Sequence, residues 1–344
     1  VLMVFYAWEI RSIERENGLL TPSAEEALQM VKPFPTFDDA WYRNAKAQWF
    51  EPFNYQAAAS GKRVRTELAW ALSAMYGLYA AQTHVLCDAI EGMNLSSLVH
   101  DDLLDGDTVR RGIPTVWKQY GAGVAIVSGM CGYLEGLQRL AELNELSVVR
   151  AGIKSLERLH VGQYLDAQAS DASQLPTLEE YALIAQANTS CFFVFLLEAC
   201  QCLKPLDQRS LALLNTMMHL LGVYYRYVND YCDLNHVPHF AKKGFANDLE
   251  GGPKSFLMIL AGDSLLKGQR TSDQKKDIIR NYGDAGVFDT ALTLMEETYN
   301  QILDYLNAIK QHDDSLDVRA LEAFLRDIHF QQSPDENYYQ RMLA

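Results

Sequence analysis

AAQTHVLCDAIEGMNLSSLVHDDLLD, residues 80–105, repeats apolar side chains at three- and four-residue steps and ends in three aspartates. That spacing is one face of an α-helix, not the alternation of a strand. The same signature runs through GKRVRTELAWALSAMYGL (61–78), SVVRAGIKSLERLHVGQYLDAQ (147–168), LALLNTMMHLLGVYYRYVNDYCDL (211–234) and ALTLMEETYNQILDYLNAIKQH (291–312). No stretch alternates with period two for more than a few residues. Proline and glycine fall mostly between the helical stretches, in KPFP, GIP, QLPT, KPLD, HVPH and EGGP. In LPTLEEYA, Thr177 and Glu180 have the spacing of a capping box. There is no internal repeat or long polar linker. The sequence predicts one all-α domain over 1–344, with a helical extension at 1–45 and a core at 46–344.

Of 344 residues, 49% are hydrophobic and 22% charged, which suits a globular chain with a large core. Thirty Lys and Arg stand against 44 Asp and Glu, a net charge of −14 that argues against nucleic acid or an anionic membrane as partner. The six cysteines form no C-x-x-C pair, as expected of reduced thiols inside a cell, and the location expected is cytoplasmic. The opening VLMVFYAW is too short to span a bilayer, so no transmembrane segment is expected.

Asp101 and Asp105 are four residues apart and project from one helix face. Two carboxylates there repel unless a cation sits between them, and hard oxygen ligands suit Mg²⁺ completed by substrate phosphates. VYYRYVNDYCDLN repeats the theme with Asn229, Asp230 and Asp233. Two such helices face to face would hold a metal cluster that stabilises a departing diphosphate. Arg110, Arg111, Lys62, Arg63 and Arg65 supply fixed positive charge for phosphate oxygens.

With GKRVR, HDDLLDGDTVRRGIPT, GQYLDAQ, NDYCDL and KKGFANDL in this order, the sequence resembles the trans-isoprenyl diphosphate synthases, particularly the geranylgeranyl diphosphate synthases of fungi and animals. The resemblance implies the class I isoprenoid-synthase bundle around a deep apolar cavity, usually as a homodimer. It also implies Mg²⁺-assisted ionisation of an allylic diphosphate, whose prenyl group passes to an acceptor, in most members isopentenyl diphosphate. By position it assigns the metal to Asp101, Asp105 and Asp230, with Asp102 in support. Arg110 goes to the donor diphosphate, and Arg111, Lys62, Arg63 and Arg65 to the phosphate of the second substrate. Gln163 and Asp166 form the polar pair facing the metal, and Lys243 reaches the leaving group.

Departures from the family pattern cluster around both substrates. Asn94 replaces a histidine, Asn188 replaces the lysine before Thr189, Tyr225-Arg226 replaces Phe-Gln, and Asn229 replaces an aspartate. EGK becomes GGP, with Lys254 one place later. Asn229 is a weaker metal ligand, and Arg226 puts a permanent cation where a neutral amide stood. The pattern resembles the indole-diterpene branch of the family, implying a geranylgeranyl donor and indole-3-glycerol phosphate as the acceptor. Small residues at Ser96 and Ser97, one turn before the acids, would leave the tail tunnel open to a long donor. A geranylgeranyl diphosphate synthase and a class I terpene cyclase stand as alternative readings. His100 is expected to be a supporting or exposed residue, and His236 and His239 receive no role.

Overall fold

The computed structural model describes residues 39–59, 61–250, 254–263 and 268–344. The chain divides into two compact units, Val1–Gln48 and Trp49–Ala344. The extension expected over 1–45 lies, up to residue 38, outside the described residues. The division falls within α1 (Ala40–Ala57). There follow α2 (Val64–Tyr76), α3 (Ala80–Asp105), the strands β1 (Val109–Arg110) and β2 (Ile113–Pro114), α4 (Val116–Tyr120), α5 (Ala122–Gly129) and α6 (Cys131–Ala141). The middle of the chain forms α7 (Leu146–Asp171), α8 (Leu178–Asn188), α9 (Cys191–Leu203), α10 (Gln208–Asn235) and α11 (Val237–Lys243). The rest forms α12 (Phe256–Ala261), α13 (Ser272–Asp284), α14 (Val287–His312), α15 (Arg319–Ile328) and α16 (Tyr338–Leu343), with 3₁₀ turns at Asn247–Glu250 and Pro334–Glu336. The all-α expectation holds, and no single described helix is long and apolar enough to cross a membrane.

The centre of the larger unit is α9, whose sequence CFFVFLLEACQCL is apolar on nearly every side, Glu198 and Gln201 being its polar residues. A helix hydrophobic all round must be surrounded, and α9 packs against α7, α10 and α2. Phe193, Phe195, Leu196 and Leu197 are fully buried, each contributing roughly 1.5–3 kcal/mol of transfer free energy. α8 meets α9 at a 50° bend. Gly162 of α7 and Gly222 of α10 close on that bend: a Cβ on Gly162 would lie 2.5 Å from the Asn188 amide nitrogen, and one on Gly222 1.9 Å from Ser190 Oγ. The α3–α6 contact is equally tight, since a Cβ on Gly132 would fall 2.1 Å from the Gly92 carbonyl oxygen.

Local signals account for several boundaries. Thr177 and Glu180 form the capping box, the Thr177 amide donating to Glu180 Oε2 (2.8 Å) and the Glu180 amide to Thr177 Oγ1 (3.1 Å). Two features differ from expectation. The helix read from Gly61 begins at Val64, because Arg63 adopts a left-handed conformation with φ 49°. A two-residue hairpin also interrupts the helices, with Arg110 paired to Ile113 across an Arg111-Gly112 turn. Strands this short leave no period-two signal to read.

Candidate active site

The hairpin turn has φ 56° at Arg111 and 81° at Gly112, the positive values that a two-residue hairpin of primed type requires. Glycine adopts them freely, whereas an L side chain in that region costs roughly 1–2 kcal/mol. Arg111 is held there by its Nη1, which donates to the Ala59 carbonyl (2.8 Å), while the Gly112 amide donates to the Lys242 carbonyl (3.1 Å). Gly61 makes room, since a Cβ on it would lie 2.5 Å from Arg111 Nη2. Of the four non-glycine residues with positive φ among the described residues, two are Arg63 and Arg111, both basic and both in the wall of one cavity.

That cavity encloses about 450 Å³. Lys62, Arg63, Arg65, Arg110 and Arg111 line it with Asn94, Ser97 and Asp101 from α3, Gln163 from α7, Asn188 and Thr189 from the bend, and Arg226, Asn229 and Lys243. Motifs spread over most of the chain therefore meet in one place. The guanidinium of Arg65 lies 5.5 Å from the Phe193 ring and 5.9 Å from that of Tyr225, so aromatic faces hold it.

The acidic motif divides its labour. Asp102 is 1% exposed and holds Arg110 through Nε (2.7 Å) and Nη2. Burial pushes its pKa up to about 6 against the opposing pull of Arg110. Asp101 faces the cavity, accepting from Gln163 Nε2 (3.0 Å) and, at 3.5 Å, from Arg110 Nη2. Asp105 makes no hydrogen bond or ion pair with any described residue. Burial, then the carboxylates of Asp101 and Asp166, hold its pKa well above the usual carboxylate range. Lys243 opposes this only in part, and a carboxylate without a hydrogen-bond donor one turn from another is the donor set a hard divalent cation suits, so Asp101 and Asp105 fit such an ion.

Asp230 does not. Its Oδ1 accepts from Arg226 Nε (3.2 Å), and its Oδ2 accepts from the Tyr181 hydroxyl (2.7 Å) and the Phe256 amide (3.2 Å). It is 1% exposed and, like Asp105, absent from the cavity wall, and among the described residues no three His, Cys, Asp or Glu stand close enough to share a metal. Asp230, expected to join Asp101 and Asp105 as a ligand, is thus held in this structure by Arg226, Tyr181 and the Phe256 amide.

Three more placements differ from the reading above. Ser96 turns toward α6, where a Cβ on Gly132 would meet its Oγ at 2.6 Å, so only Ser97 lines the cavity. Neighbours on a helix point about 100° apart, so two adjacent serines cannot line one wall. Lys254 is buried outside the cavity, where the chain turns inward to start α12. Lys243 lines the cavity but already pairs with Asp107 (3.6 Å) and Asp248 (3.5 Å). Those two acids, with Glu91 in the wall and Tyr181 behind Asp230, carry no motif of their own in the sequence, since each reaches the site only through folding; Tyr225 lines the wall beside Arg226. His239 also lines the cavity; burial, then Lys243 and Lys62, push its pKa down to about 3. His100 supports α5 instead, 3.1 Å from the Ile126 carbonyl oxygen.

A second cavity of about 760 Å³ shares Lys62, Val64 and Tyr225 with the first. Its other walls include Trp70, Tyr224, Phe324 and Phe330.

The architecture is that of the all-α isoprenoid synthases. A polyprenyl synthase from Caulobacter crescentus CB15, solved with calcium and isoprenyl diphosphate, shares the fold at TM-score 0.71 and 19% identity, over 84% of this chain and 88% of that one. The polyprenyl synthetase family model matches residues 46–302, and the chain belongs to that family. It is 30% identical over 208 residues to the bifunctional sesterterpene synthase astC of Talaromyces wortmannii, covering 60% of this chain and 28% of that protein. It is 28% identical over 221 residues to geranylgeranyl pyrophosphate synthase D of Phomopsis amygdali, covering 64% of this chain and 52% of that protein.

Proposed function

We propose that the chain is a Mg²⁺-dependent prenyltransferase that ionises geranylgeranyl diphosphate and passes the prenyl group to indole-3-glycerol phosphate. The observation supporting this reading is the pair of cavities that share Lys62, Val64 and Tyr225 in their walls, one charged and one lined largely by aromatic rings. An acceptor bearing both a phosphate and an electron-rich ring needs both kinds of wall. Lys62, Arg63, Arg65 and Arg111 hold its phosphate, and the rings beyond Tyr225 hold the aromatic part.

On the donor side, Arg110 is fixed by Asp102 and presents its charge to the diphosphate. Asp101 and Asp105 would hold Mg²⁺, which would supply charge neutralisation for the leaving diphosphate. Gln163 fixes Asp101, while Lys243 exchanges an acidic partner for phosphate oxygen as negative charge develops. Ser97 leaves room for the tail, and Ser97→Phe is expected to lower turnover with geranylgeranyl diphosphate at least tenfold while sparing geranyl diphosphate. Equal loss with both donors would remove the tunnel from Ser97.

The named relatives favour a second reading, a geranylgeranyl diphosphate synthase using isopentenyl diphosphate. Purified protein with Mg²⁺ and geranylgeranyl diphosphate separates the two when given indole-3-glycerol phosphate, isopentenyl diphosphate or neither, with products identified by mass spectrometry. A prenylated indole supports the proposal. Elongation with isopentenyl diphosphate, or of shorter allylic donors, supports the synthase, and a hydrocarbon formed without acceptor supports a cyclase.

A further inference from the structure

We infer that Arg226 is a built-in cation of the diphosphate site, taking up the negative charge of the second acidic helix so that divalent metal binds on the Asp101–Asp105 side alone. The inference rests on the prenyl-diphosphate reading above. Asp166 Oδ2 accepts from Arg226 Nη2 (3.1 Å) and Asn188 Nδ2 (2.9 Å). The Asp230 oxygens are filled by Arg226, Tyr181 and the Phe256 amide. Arg226 and Asp230 are i and i+4 on α10, so the pair is set by helix geometry, and their side chains are 14% and 2% exposed. Opposite them, Asp105 makes no hydrogen bond or ion pair with a described residue, only the more distant positive charge of Lys243 acting on it, and Asp101 is 29% exposed toward the cavity.

A metal ion seeking Asp230 would have to displace a guanidinium that cannot lose its charge, and then stand beside it. It would also have to detach a carboxylate from a tyrosine hydroxyl and a backbone amide, both buried and then unsatisfied. At Asp101 it meets only the Gln163 amide and a long 3.5 Å contact to Arg110, on a carboxylate already 29% exposed, and at Asp105 it breaks no hydrogen bond to a described residue. Two substitutions reinforce one another here. Asn229, which lines the cavity, contributes no charge, while Arg226 contributes a permanent positive one. Arg226 also faces the cavity, so part of the positive charge presented to a diphosphate is covalently part of the chain and does not dissociate with the metal.

Manganese(II) with inorganic diphosphate is the probe. Free ion counted by electron paramagnetic resonance gives the number bound per chain, and Arg226→Gln is expected to bind one more than the parent. In crystals of the unmutated protein soaked with the same pair, anomalous density is expected against Asp101 and Asp105 and none against Asp230. Equal stoichiometry in parent and variant, both folded by circular dichroism, overturns the inference. Manganese against Asp230 in the parent crystal does so even if the variant fails to fold, and leaves the prenyl-diphosphate reading standing. A parent that binds no manganese with diphosphate, and releases none from a prenyl donor, overturns both together.

Discussion

Arg111 combines backbone strain with a place in the cavity wall. Its left-handed backbone is costly, yet the turn that imposes it aims a guanidinium into the cavity beside Arg63, which is strained in the same sense. Arg111→Gly is therefore expected to leave stability within about 1 kcal/mol of the parent, the relieved backbone offsetting the lost bond to Ala59. The same variant should raise KM for a phosphate-bearing acceptor at least tenfold; denaturant unfolding and steady-state kinetics check the two halves. His239 carries a pH signature. Its folded pKa, about 3, lies below the ordinary 6.5, so the stability of its neutral form is present above pH 6.5 and is lost as pH falls toward 3. Asp102 and Asp230, raised to about 6, act in the opposite sense, favouring the fold as pH falls from 6 toward 4. The clean readout is a difference. His239→Gln should gain thermal stability relative to the parent as pH drops from 7 to 5, and a constant difference across that range would refute the assignment.

At the scale of elements, the site depends on how closely helices approach. Gly162 and Gly222 let α7 and α10 grip the α8–α9 bend, which sets Asn188 and Thr189 in the cavity wall. Gly222→Ala drives a methyl into Ser190 and is expected to cost about 1–3 kcal/mol with a matching loss of turnover, since the bend must shift. A change in stability without loss of turnover would show that the bend merely packs. The helices themselves were readable from apolar spacing, and the α8 start from its capping pair. The hairpin was not, because two-residue strands have no periodicity, and its form depends on docking against Lys242.

At the scale of the whole molecule, exposed apolar side chains concentrate on neighbouring helices, with Ile126 and Val127 on α5, Leu134 on α6, and Ile153 and Val161 on α7, each about half exposed. An apolar surface of this kind is characteristic of an interface, and we propose that a second copy of the chain covers it. The parent is expected to sediment as a dimer and the Ile126→Glu/Val127→Glu double variant as a monomer; an unchanged mass would place the interface elsewhere.

The sequence by itself determined the helical class, the order of the acidic and basic motifs and the family, because helix periodicity and the i,i+4 spacing of Asp101 and Asp105 are local properties of the chain. It also placed a permanent charge at Arg226. Only the tertiary structure decided what that charge does. Whether a guanidinium faces an anion or ties up two carboxylates depends on where α7, α8 and α10 meet, and Asp166, Tyr181 and Phe256 come from elements far apart in the chain. The same holds for Ser96 and Ser97, alike in sequence but facing different neighbours, because helix rotation against α6 is settled by the contact between Gly92 and Gly132.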